Sequence, residues 1–82
     1  MAEIAWEHVD SSNVERVAYH DETETLCVKF RSGAMYTYAG VSFNSYMSLV
    51  GADSVGRYLN SVIKGLHHYQ RFETEHDLLS SL

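Results

Sequence analysis

Residues 25–40 read TLCVKFRSGAMYTYAG, and the way this stretch turns back on itself decides the fold. Two runs rich in β-formers flank a Ser32-Gly33 pair, which makes the segment a hairpin. In TLCVKFR (25–31), Leu26, Val28 and Phe30 share one face, read as the core face, and Cys27, Lys29 and Arg31 share the other. Tyr36 and Tyr38 also share a face, and the length of the loop decides which one. A two-residue Ser32-Gly33 turn pairs Lys29 with Tyr36 and sets both rings on a basic outer surface. A three-residue loop, Arg31-Ser32-Gly33 with the glycine left-handed, pairs Val28 with Tyr36 and Leu26 with Tyr38. Serine is a poor substitute for Asn or Asp before the glycine of a two-residue turn, so the longer loop is expected. Both rings then join the core, with their hydroxyls at its rim.

Working outward, VERVAYH (14–20) is a third strand, joined to the hairpin through DETE (21–24), so the first half is an antiparallel meander. After residue 40 the period changes. SFNSYMSLVGA (42–52) carries Phe43, Tyr46, Met47, Leu49 and Val50 at helical spacing behind a Ser42 cap. DSVGRYLNSVIKG (53–65) repeats the pattern, capped by Asp53 or Ser54, with Tyr58, Leu59, Val62 and Ile63 inward and Gly65 closing it. LHHYQRF (66–72) alternates as a short edge strand, and ETEHDLLSSL (73–82) is an acidic tail, frayed or weakly helical. The expected fold is α+β: a three- to four-stranded antiparallel meander followed by two short α-helices packed on one face. Residues 1–82 form a single domain with its core at about 9–72 and the acidic tail at 73–82.

A chain of 82 residues has a thin core, which points to self-association and a homodimer. Its one cysteine, Cys27, excludes an internal disulfide and fits a reducing compartment. The acidic N-terminus does not read as a secretory signal, and no apolar run reaches membrane-spanning length, so a cytoplasmic protein with no membrane partner is expected. The net charge of −5 is segregated. Residues 1–24 hold seven acids and one base, and residues 73–82 hold three acids and no base. The middle, 25–72, holds Lys29, Arg31, Arg57, Lys64 and Arg71 against Asp53 alone.

The motifs carry little reaction chemistry. His67 and His68 are adjacent and point to opposite faces of a strand, and no Cys/His spacing matches a zinc site, so neither metal nor cofactor is expected. No P-loop pattern is present. Ser11-Ser12-Asn13 reads as a turn and Cys27 has no local base, so no enzyme is expected. SVGRYLN (54–60) is the most informative stretch. A helix start with Ser54, Gly56 and Arg57 leaves backbone N–H groups free for an anion, helped by Lys64. The two cations are seven apart, roughly on one helix face and ~10 Å from each other, which suits two successive phosphates. The structural alternative is that Ser54 caps, Gly56 allows close packing, and Tyr58 and Ile63 are core.

Taken in order, Ser11-Ser12, Ala18-Tyr19, Tyr36-Thr37-Tyr38 and Ser54, Gly56, Tyr58, Asn60, Ile63 and Lys64 resemble the motifs of the KTSC domain. That family is named for the C-terminal extension of some lysyl-tRNA synthetases and includes small bacterial and phage proteins. The resemblance spans roughly residues 9–70. It departs at Ala39-Gly40-Val41-Ser42, where the family usually has an aromatic residue and Val-Pro, and at Val55, where a basic residue is common. It implies an RNA-binding role and makes Tyr36, Tyr38, Tyr58 and Asn60 structural motif residues.

Two functions are therefore expected. The first is a non-enzymatic module binding RNA or another phosphate-bearing ligand, such as a phosphorylated small molecule. It would use Ser54, Gly56, Arg57, Lys64, Lys29 and Arg31 in a basic, aromatic centre. The second is a small protein-interaction or inhibitor module acting through a sheet edge or through Leu78, Leu79 and Leu82 of the tail. One contiguous patch of the five central cations favours the first, and scatter favours the second.

Overall fold

The computed structural model describes residues 3–82. Its first half is built of strands β1 (Glu7–His8), β2 (Val14–His20), β3 (Thr25–Phe30) and β4 (Met35–Tyr38). Helix α1 (Phe43–Val50), helix α2 (Val55–Tyr58) with a π-turn at Leu59–Ile63, strand β5 (Tyr69–Phe72) and helix α3 (Glu75–Ser80) follow. The strands form one antiparallel sheet in the order β1-β2-β3-β4-β5. This is an α+β fold.

The hairpin takes the longer loop. Phe30 N–H donates to the Ala34 carbonyl (2.9 Å), Gly33 N–H donates to the Phe30 carbonyl (2.9 Å), and Gly33 sits at φ +98°. Only glycine adopts that dihedral without strain. Val28 therefore pairs with Tyr36 and Leu26 with Tyr38, as expected. Tyr38 is buried, whereas Tyr36 is only half-buried and leaves part of its ring at the surface.

The face carrying these rings packs under α1 and α2 around Val14, Val17, Leu26, Val28, Leu49, Leu59 and Ile63. Ser42 caps α1 by accepting from Ser45 N–H (3.1 Å), and Ser54, not Asp53, caps α2 by accepting from Arg57 N–H (3.2 Å). Tyr19 donates its hydroxyl proton to the Val41 carbonyl (2.7 Å), which pins the chain leaving β4 to the middle of the sheet.

The opposite face, which carries Cys27 and Lys29, is covered as well. Ala18, Cys27, Met35 and Leu78 form a second core, with Ile4, Trp6, Phe72, Leu79 and Leu82 packed against it. Cys27 is fully buried, and Lys29 is half-buried with its ammonium 3.7 Å from Glu15. The segment 73–82, expected to be frayed or weakly helical, is an ordered helix over Glu75–Ser80. Thr74 caps it by accepting from Asp77 N–H (3.1 Å), and Glu75 and Asp77 lie in its first turn, where carboxylates favour the helix dipole. The sheet is thus covered on both sides, and β1 is a further strand on its far edge.

Burial pushes the Cys27 thiol up to about 12, and burial, followed by the neighbouring Tyr36 and Tyr69, pushes the Tyr38 phenol up to about 12. Both groups hold their protons longer folded than unfolded. Their contribution is fully present below an ordinary thiol pKa near 9 and is lost as pH rises toward 12. The melting temperature should accordingly fall steeply between about pH 9 and 12. Cys27→Ala should remove the part of that fall that begins near 9, where an exposed thiol titrates. A melting temperature independent of pH to 12 would contradict this.

Candidate functional site

Three grooves border the helical face of the sheet. The first is aromatic, about 450 Å³, and lined by Phe30, Ser32, Ala34, Tyr36, Tyr38, Lys64 and Tyr69. Its rings form a continuous row. Phe30 meets Tyr36 edge-on at 5.6 Å, Tyr36 stacks on Tyr38 at 6.3 Å, and Tyr69 lies 5.8 Å from Tyr36. The row arises because the register sets Tyr38 opposite Tyr69 and Tyr36 opposite Arg71. Tyr69 is 63 % exposed because β5 is the edge strand. The Lys64 ammonium sits 5.7 Å from the centre of the Phe30 ring, and Arg71 shares the Tyr36 face with its guanidinium 3.8 Å from Glu73. A ring row with two cations at its rim can stack planar groups and contact anions beside them.

The second groove is polar and brings together residues far apart in the chain: Asp10, Ser11, Ser12, Asn13, Asp53, Ser54, Gly56, Arg57 and Asn60. Gly56 is buried, and a Cβ there would come within 2.8 Å of Asn13 Oδ1. The space left by the missing side chain is therefore taken by the Ser11–Asn13 loop. In that loop Ser11 donates to Asn13 Oδ1 (3.1 Å) and accepts from Val14 N–H (3.2 Å). Arg31 closes the same loop by donating from Nε to the Ser11 carbonyl (2.9 Å). Asp10 and Asp53 line the groove alongside Arg57.

The site residues read from the sequence are thus divided. Ser54, Gly56, Arg57 and Asn60 meet in the polar groove, and Lys64, Tyr36 and Tyr38 in the aromatic one. Lys29 faces the second core, Arg31 ties a loop, and Tyr58 is half-buried against the main core. A contiguous patch of five cations is not formed. Arg57 and Lys64 separate because the helix between them contains the π-turn, in which Lys64 N–H donates to the Leu59 carbonyl five residues back (2.9 Å). One extra residue in a turn rotates everything after it by about 100°. That rotation carries Lys64 off the Arg57 face and over Phe30.

A third groove, at the other edge of the helical face, is lined by Ala5, Glu7, Tyr19, Asp21, Phe43 and Tyr46. Tyr46 donates its hydroxyl proton to Glu7 Oε2 (3.0 Å). Burial, and then this carboxylate, raise the Tyr46 phenol pKa. Nothing in the sequence alternation pointed to this groove, because Glu7 reaches it from a strand of only two residues.

Comparison with known proteins bears on the polar groove first, since residues 10–69, which supply all of it, match the KTSC domain. The chain belongs to the KTSC domain family. An uncharacterized protein of Stutzerimonas stutzeri is 38 % identical over 60 residues, covering 73 % of this chain and 84 % of the relative. Lysine–tRNA ligases of Nostoc punctiforme and Trichormus variabilis are 31 % and 32 % identical over 62 residues, which are 76 % of this chain but 11 % of each ligase. The crystal structure of a KTSC domain protein from Yersinia pestis superposes with a TM-score of 0.81 at 27 % identity, covering 85 % of this chain and 99 % of that one. In this KTSC domain, β1 and α3 both lie outside the matched span. The cover of the second sheet face therefore comes from the two flanks of the family core. Among the described residues, no helix is long and apolar enough to cross a membrane.

Proposed function

We propose that this KTSC domain is a non-catalytic binding module that takes a base-bearing phosphate ligand, RNA above all, in the aromatic groove. The observation that carries the reading is the row Phe30, Tyr36 and Tyr69 with Lys64 and Arg71 at its rim. Bases stack on the exposed faces of Tyr69 and Tyr36, and the two cations meet adjoining phosphates. The polar groove is a weaker anion site, because Asn13 occupies the space above Gly56 and two carboxylates flank Arg57. Relatives named lysine–tRNA ligase add support, since an enzyme named for tRNA puts RNA within reach of such a domain.

The test is titration with a short single-stranded RNA over a range of salt. Two phosphate contacts give a slope of log affinity against log salt of about −1.4. Lys64→Ala and Arg71→Ala should each halve that slope, and Tyr69→Ala should cost ~1–3 kcal/mol. Arg57→Ala should leave both unchanged. Absence of salt-dependent RNA binding removes the RNA reading, and loss on Arg57→Ala alone moves the site to the polar groove.

A further inference from the structure

The third groove has a chemistry opposite to the first. Tyr19 stacks on Tyr46 at 5.1 Å, and Phe43 meets Tyr19 edge-on at 5.8 Å, so three rings face one cleft of about 550 Å³. Its lining carboxylates are Glu7 and Asp21, and the Tyr19 phenol pKa is raised by burial, then by Glu24 and Asp21. All six lysines and arginines of the chain are placed elsewhere. Arg16 and Lys29 turn to Glu15, Arg31 to the Ser11 carbonyl, Arg57 to the polar groove, Lys64 to Phe30 and Arg71 to Glu73. An aromatic cleft whose carboxylates meet no lysine or arginine side chain attracts a cation through both the ring faces and the carboxylates.

We propose that this cleft receives a lysine or arginine side chain from a basic, partly apolar peptide segment of a protein partner. A peptide fits better than a free amine because the apolar surface continues beyond the cleft. Phe43 and Met47 are 53 % and 50 % exposed and stand one turn apart on the same side of α1. Beside them, β1 is a terminal strand whose outer backbone edge has no neighbour in the sheet among the described residues, so it can hydrogen-bond an extended segment.

The experiment is calorimetric titration of the full chain with the capped peptide Gly-Leu-Lys-Leu-Lys-Leu-Gly. The arms are the same peptide with glutamine for lysine, and tetramethylammonium chloride. The lysine peptide should bind at least about tenfold more tightly than the glutamine peptide. Asp21→Asn and Phe43→Ala should each weaken it about two- to fivefold. Phe43 is half exposed, so the variant keeps its fold, which an unchanged melting curve verifies, and Phe43→Tyr should restore affinity. Equal binding of the two peptides, no binding of either, or indifference to Phe43→Ala in a folded variant overturns the proposal. Tetramethylammonium binding as tightly as the peptide overturns the peptide occupant. None of these outcomes depends on the aromatic groove at the opposite edge.

Discussion

Tyr38→Ala is expected to lose the cooperative melting transition. Tyr38 is 2 % exposed, on a strand with neighbours on both sides, paired with Leu26 in β3 and Tyr69 in β5. Its ring stacks on Tyr36 and belongs to the main core. Truncating a buried aromatic side chain costs ~3–5 kcal/mol through lost transfer energy and the cavity left behind. A domain of 82 residues has a total stability of roughly 4–12 kcal/mol. The truncation therefore removes a large part of it, and circular dichroism on heating should show a broad, non-cooperative change. Tyr38→Phe keeps the ring and should melt sharply. An alanine variant that melts like its parent would show that the ring contributes no core packing.

Leu78→Ala should be nearly as damaging, although Leu78 lies in a segment whose sequence reads as a frayed or weakly helical acidic tail. The side chain is fully buried and inserts between Ala18, Cys27 and Met35. Leucine-to-alanine changes at such sites cost ~2–5 kcal/mol. Leu78→Asp should cost more, because it buries a carboxylate with no partner. A second measurement separates loosening of α3 from general unfolding. Cys27 lies under this helix, and its thiol pKa is pushed up to about 12, so alkylation in the parent should be very slow at pH 8. In Leu78→Ala it should become measurable at temperatures where the far-ultraviolet spectrum still reports a folded sheet. If Leu78→Ala neither lowers the melting temperature nor speeds alkylation, the helix is a passive appendage.

The elements that were legible share a cause: their signals are local. Gly33 with Ser32 specifies the loop, the loop specifies the register, and the register puts Tyr36 and Tyr38 on the helical face. Ser42 and Ser54 announce the two helix starts. The second core was harder to see, because its signal is a run and not an alternation. Thr25, Leu26, Cys27 and Val28 are all buried in sequence, the mark of a strand covered on both faces, but Lys29 and Arg31 drew the outer face toward solvent. In the tail, Thr74 followed three residues later by Asp77 was a readable helix start, masked by the density of acids. β1 was not readable, since two residues have no period and gain their partner only by reaching β2. The division of Arg57 from Lys64 was not readable either. A π-turn differs from an α-turn by one residue and carries no composition signal, yet it decides which groove receives which cation.

The doubly covered sheet has an energetic consequence for whatever this domain binds. With α1 and α2 on one face and α3 with the N-terminal segment on the other, only the rims are left, and a rim groove holds one or two units of a ligand. Stacking two bases on Tyr36 and Tyr69 contributes ~2–6 kcal/mol, while a millimolar dissociation constant already corresponds to about 4 kcal/mol. On the proposed reading, the domain alone would therefore bind weakly. Joined to a second binding body by a short linker, the same groove experiences an effective concentration in the millimolar range, enough to be about half filled. In the lysine–tRNA ligases the matching 62 residues are 11 % of the chain, so a rim contact of this kind would there be tethered to a much larger body.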